Sequence, residues 1–142
     1  MYKNILVPLE NSPTDDAILN HIRSLAKFTG ARVSLIHVAD GFVARHYEKT
    51  DLAESEEMRE DYAYLEKRQQ ELKGEGFEVQ IHLACGDPAD QILARAEQEG
   101  CDLIAMSTHG HRLLSDFVLG SVASAVRHRA SVPVLLVRAH HK

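Results

Sequence analysis

Apolar residues recur along this chain with two different periods. Asn4 to Leu9 (NILVPL) is a short, branched, nearly unbroken apolar run, the pattern of a strand covered on both faces. Ser12-Pro13-Thr14-Asp15 follows with helix-start signals: Ser12 as a cap, Pro13 at the first helical position, and Asp15 in the first turn, where the helix dipole favours an anion. Ala17, Ile18, His21, Ile22, Leu25 and Ala26 then recur every three or four residues. That spacing predicts a helix with one apolar face, ended by Gly30 as a left-handed cap.

The same alternation continues to the end of the chain. Arg32 to Ala39 (RVSLIHVA) is a second strand, and Asp40-Gly41 the turn after it. From about residue 52 to Lys73 the pattern is helical, with Met58, Tyr62, Leu65, Gln69 and Leu72 on one stripe, acids in the first half and Lys67 and Arg68 in the second. Phe77 to Leu83 (FEVQIHL) alternates apolar and polar, as an edge strand does. A helix opens at Asp87-Pro88 and runs to Gly100; Cys101 to Met106 (CDLIAM) is a buried strand, residues 107 to 119 a loop, and a helix starts near Gly120. Val132 to Val137 (VPVLLV) is the last strand. Five strands alternating with helices argue an α/β fold, a parallel sheet with helices on both faces.

Size and composition narrow the class. The 142 residues suit one domain, 1–142, and contain no apolar stretch near the ~20 residues of a membrane span. The apolar run after Lys3 ends at Pro8 and Glu10 without a small-residue cleavage site, so the expectation is a cytoplasmic protein with no membrane partner. Asp and Glu number 21 against 16 Lys and Arg, which argues against a nucleic-acid partner. Cys85 and Cys101 are expected to be two buried thiols.

In a sheet of this kind ligands sit beyond the carboxyl ends of the strands, where the strand order reverses. The loops after the first and fourth strands are therefore the ones that matter. The fourth holds Gly110, Gly120 and then Ser121 at a helix start, and glycines beside a helix N-terminus let backbone amides approach a phosphate. The alternative is that Gly110 is a turn residue and Ser121 only caps the last helix through its hydroxyl. His109 and His111 flank Gly110 and Arg112 follows, each able to meet a phosphate, but two histidines without further ligands do not make a metal site. His37 and His82 lie within strands and are expected to be structural. No Gly-x-Ser-x-Gly elbow and no Gly-Lys-Ser or Gly-Lys-Thr loop occurs, so fast hydrolysis is not expected.

ILVPLENS, LAKFTGARVSLIHV, GDPADQIL, CDLIAMSTHG and LGSVASAVRHRASVPVLLV together resemble the universal stress protein family almost end to end. The resemblance implies a three-layer sandwich around a five-stranded parallel sheet in the order 3-2-1-4-5, adenine nucleotide alpha hydrolase-like. It also implies a homodimer through the last strand, Val132 to Val137. Nucleotide-binding members carry a G-x2-G-x9-G-[ST] loop; Gly110, Gly120 and Ser121 meet its last three elements, and Ser107 stands where its first glycine would. By the same resemblance Val38 offers main-chain groups to the adenine, Ser107 and Gly110 lie near ribose and phosphates, and Val122 adds a helix-start amide, while Leu9 opens the loop after the first strand. Glu10 stands where the family typically has aspartate; a carboxylate there can help hold a phosphate-bound Mg²⁺ or receive a hydrogen bond from the nucleotide, and a solvated acid beside a helix start is the plain alternative. The implied function is a stress-response protein binding ATP as a regulatory ligand with little or no hydrolysis. The alternatives are a nucleotide-free dimer acting through protein contacts and a slow metal-dependent ATPase.

Overall fold

Every strand-to-strand link in this chain carries a helix, and the result is a sheet whose five strands all run parallel. A computed structural model describes residues 1–40, 51–108 and 120–139. The elements are β1 (Asn4–Pro8), α1 (Asp15–Thr29), β2 (Arg32–Asp40), α2 (Asp51–Gly74), β3 (Val79–Gly86), α3 (Pro88–Gln98), β4 (Leu103–Thr108), α4 (Ser121–Arg129) and β5 (Val134–Arg138). The strand order is β3-β2-β1-β4-β5, as the family resemblance implies.

The period of two along each strand divides the core. Ile5, Val7, Val33, Leu35, Leu103 and Ala105 face one side with Ile18, Leu19 and Ile22 of α1 and Leu65 and Leu72 of α2. Leu6, Ile36, Ile104 and Met106 face the other side with Ile92 and Ala96 of α3 and Ala123 and Val126 of α4. β1 is central, pairing Ile5 with Val33 on one flank and with Leu103 on the other. At its amino end the Asp102 carboxylate accepts from the Lys3 and Asn4 amides at 2.9 and 3.1 Å.

Several boundaries differ from the pattern. α1 begins at Asp15 rather than Pro13, because Ser12 to Thr14 form a turn in which the Ser12 carbonyl accepts from the Asp15 amide at 3.0 Å. Gly30 ends it at φ 75°, the expected left-handed cap. β4 runs on to Thr108, so Ser107 belongs to a strand paired with Val137 rather than to the following loop. β5 starts at Val134, after Pro133, and not at Val132. Cys101 is buried, whereas Cys85 is only half-buried.

The inward stripe of α2 also differs. Tyr62, placed on it by the apolar pattern, is exposed. Asp61, Tyr64, Leu65, Arg68 and Leu72 recur at helical spacing instead, with Leu65 and Leu72 in the core and the other three meeting polar partners from α1 and β2.

Candidate functional site

β1 and β4 lie side by side, but their connections leave in different directions, and a crevice opens beyond their carboxyl ends. The cleft there has a volume of about 410 Å³. Pro8, Leu9 and Glu10 after β1, Val38 on β2, Ser107 on β4, and Gly120, Ser121 and Val122 at the start of α4 line it. Ile36, Pro88, Ile92, Met106 and Ala123 supply an apolar wall. Seven of the eleven residues singled out in the sequence thus share one cavity; His109, Gly110, His111 and Arg112 lie outside the described residues.

Backbone geometry fits this cleft for a ligand with both apolar and anionic parts. The Ile36 carbonyl accepts from the Leu9 amide at 2.8 Å, so it points toward β1. Alternation sends the Val38 amide and carbonyl the same way, beyond the last β1–β2 register pair, Pro8 with Ile36. Opposite, α4 starts at Gly120 without a side-chain cap, and its first intrahelical bond of this kind is Ser124 amide to Gly120 carbonyl at 2.9 Å. The amides of Ser121, Val122 and Ala123 are therefore helix-start donors at the positive end of the helix dipole.

The departure at Ser107 carries no backbone penalty. Among the described residues only Asn11 is a non-glycine with positive φ, so Ser107 occupies ordinary strand geometry. Gly120 has φ −59° and ψ 152°, which any residue adopts, so its backbone does not require glycine.

Behind Leu9 and Glu10, the β1–α1 turn is held by a carboxylate the sequence pattern assigned only to the helix dipole. Asp15 is fully buried. It accepts from the Glu10 and Asn11 amides at 2.9 Å each, from the Ser12 amide at 3.4 Å and from the Tyr64 hydroxyl. Burial, then the hydrogen bond to Asp15, pushes the Tyr64 hydroxyl well above the usual phenol range, so it stays a donor. Arg68 in turn donates to the Tyr64 oxygen at 3.1 Å and to Asp16 at 2.6 Å. His37 and Asp61 add a second tie from β2 to α2. No single-sequence signal links residues 11 and 15 to residues 61 and 64, because the link exists only once α2 packs on the sheet.

Glu10 is held at the rim, where its Oε2 accepts from the Thr14 hydroxyl at 3.0 Å. Among the described residues no group of three His, Cys, Asp or Glu side chains could enclose a metal ion. No helix among them is long and apolar enough to cross a membrane.

The model of the universal stress protein family matches residues 1–138. The chain belongs to that family. It is similar to universal stress protein MJ0577 of Methanocaldococcus jannaschii, at 30% identity over 97% of this chain and 96% of the relative. The solved structure of MJ0577 superimposes with a TM-score of 0.86 at 31% identity, covering 100% of this chain and 99% of that one. The solved universal stress proteins share the adenine nucleotide alpha hydrolase-like fold seen here. One of them is a complex with cAMP, at 19% identity and a TM-score of 0.71 over 98% of each chain. Another, from Archaeoglobus fulgidus, is a complex with dAMP, at 24% identity and a TM-score of 0.67 over 96% of this chain and 98% of that one. Those two share the fold with this universal stress protein.

Proposed function

We propose that this universal stress protein binds ATP in the cleft beyond β1 and β4 as a regulatory ligand, with little or no hydrolysis, in the cytoplasm. The observation that carries the reading is the convergence of the uncapped α4 amides and the outward Val38 backbone on one cavity of about 410 Å³, within the range of small-ligand sites. Two proteins of the same fold, solved in complex with cAMP and dAMP, support an adenine nucleotide as the ligand. The apolar wall of Ile36, Ile92 and Met106 suits a base, and the α4 start suits phosphate.

Mg²⁺ binds through one or two carboxylates plus phosphate oxygens and keeps its remaining waters. Glu10 at the rim has the chemistry for that single contact, whereas the Asp15 carboxylate is occupied by amides. The cation would neutralise phosphate charge beside Glu10. β5 supports the homodimer through the last strand, since it is a sheet edge bearing half-exposed Val134, Leu135, Leu136 and Val137.

Equilibrium binding of labelled ATP with and without Mg²⁺ tests the reading. Saturable binding, lost in Gly120→Val, is the expected result. A folded wild-type chain that takes up no ATP would leave the protein-contact reading standing, and phosphate release over hours would favour the slow ATPase.

A further inference from the structure

The turn that carries Glu10 is built around a left-handed residue. Asn11, at φ 60°, is the single non-glycine residue with positive φ among the described residues. The Cβ of an L-residue disfavours that region, for asparagine less than for most, and a side chain persists there when its surroundings hold it. The hold comes from another element. Asn11 is exposed, yet its Nδ2 donates at 3.1 Å to Oδ1 of Asp61, a buried carboxylate of α2 fifty residues further along the chain.

Asn11 also divides the turn. On one side of it stands Glu10 with the rim carboxylate; on the other stand Ser12 and Thr14, which support that carboxylate. Glu10 Oε2 accepts from the Thr14 hydroxyl at 3.0 Å, and the Thr14 oxygen lies 2.7 Å from Ser12 Oγ. The amides of Glu10, Asn11 and Ser12 all reach the Asp15 carboxylate, and a left-handed residue within such a run curls successive amides toward one anion. Rotation about the N–Cα bond of Asn11 therefore sets where Glu10 stands relative to the hydroxyl that holds it.

We propose that Asn11 and Asp61 are positioning residues for the cation side of the cleft: Asp61 holds Asn11 left-handed from α2, and the left-handed turn sets the direction of the Glu10 carboxylate toward a phosphate-bound Mg²⁺. This rests on the nucleotide-binding reading above, with Glu10 as the contact of the cation. Glu10 lines the cavity and Asn11 does not, so Asn11 acts through Glu10.

The gain in ATP affinity that Mg²⁺ confers on the full chain, the ratio of Kd without and with the cation, tests this. Asn11→Ala removes both the contact with Asp61 and the tolerance for positive φ. It is expected to lower the gain by roughly five-fold and to leave Mg²⁺-free affinity within about two-fold of wild type. Asn11→Gly adopts positive φ without steric cost and should keep the gain. Asp61→Ala should lower the gain in the wild-type background and leave it alone in Asn11→Gly, because its action runs through residue 11. A merely structural pair would lower the urea midpoint and spare the ratio. A gain unchanged in Asn11→Ala, or lost equally in Asn11→Gly, overturns the proposal. A wild type that binds ATP without any gain from Mg²⁺ also overturns it, and leaves the nucleotide reading standing. In the unliganded protein, the nuclear Overhauser effect between the Asn11 amide and its own Hα, strong at positive φ, should weaken in Asp61→Ala and persist in Asp61→Asn, which keeps an acceptor oxygen. A signal unmoved by Asp61→Ala overturns the proposal even where ATP binds. A signal that weakens in a chain that binds no ATP upholds the hold on Asn11 and overturns the nucleotide reading instead. If Asp61→Ala does not fold, the exposed Asn11 variants decide the outcome alone.

Discussion

At the β1–α1 turn the Asp15 carboxylate, fully buried, accepts from three successive backbone amides and from Tyr64. At the start of α4, across the same cleft, Gly120 provides no side chain to cap the helix. Both segments present consecutive amides at a helix start, and they differ in whether the protein supplies its own anion. The first is a finished anion site whose anion is Asp15, and its product is a rigid wall. The second has no side-chain cap from Gly120, and under the proposed function its amides meet the anion of a ligand. A site assembled this way separates the cost of folding from the energy of binding.

That separation is testable by breaking each wall in turn. Asp15→Ala is expected to cost about 3 kcal/mol of stability or more, since it leaves buried donors without their charged acceptor; urea unfolding measures it. Gly120→Val is expected to lower ATP affinity by about a hundred-fold, roughly 2.7 kcal/mol, while the urea midpoint stays put. A variant that unfolds easily, or one that binds normally, would erase the distinction between the walls. Tyr64→Phe removes one of the four donors to Asp15 and should cost about 1 kcal/mol in the same unfolding assay. Ser107→Gly should tighten ATP binding by a few-fold at most, roughly 0.5 kcal/mol, by clearing a hydroxymethyl group from the rim. Weaker binding in that variant would show that the hydroxyl makes a contact of its own.

The sheet was legible because its signals are local. Branched apolar runs, Pro13 and Asp87-Pro88 before helices, and Gly30 after one mark the elements within a few residues. Edge character was also legible for β3: the alternation of Phe77 to Leu83 placed it at a sheet edge, and the strand order puts it there, although none of its residues from Val79 to Gly86 is fully exposed. The rim of the cleft could be named because Leu9, Glu10 and Ser121 belong to the connections that follow the first and fourth strands, whereas Val38, within β2, was named through the family resemblance. What supports the rim could not. Asp61, Tyr64 and Arg68 are ordinary surface-helix residues by type, and their inward stripe is polar enough to be missed by any search for apolar periodicity. The same search chose Tyr62 over Tyr64, two residues away and on the opposite side of the helix. Ser107 was assigned to the loop because the small polar residues Ser107 and Thr108 end β4 in a way that resembles a turn.

The central place of β1 has a consequence for how the chain is made. Ile5 needs Leu103 as a neighbour, and the amides of Lys3 and Asn4 need Asp102, yet about a hundred residues of synthesis separate them. At the usual ribosomal pace of about 5–20 residues per second, one edge of this greasy segment stays open for roughly 5 to 20 s. Throughout that interval it is a template for neighbouring nascent chains, so crowded polysomes, rather than the finished molecule, are where this protein is most exposed to misassembly.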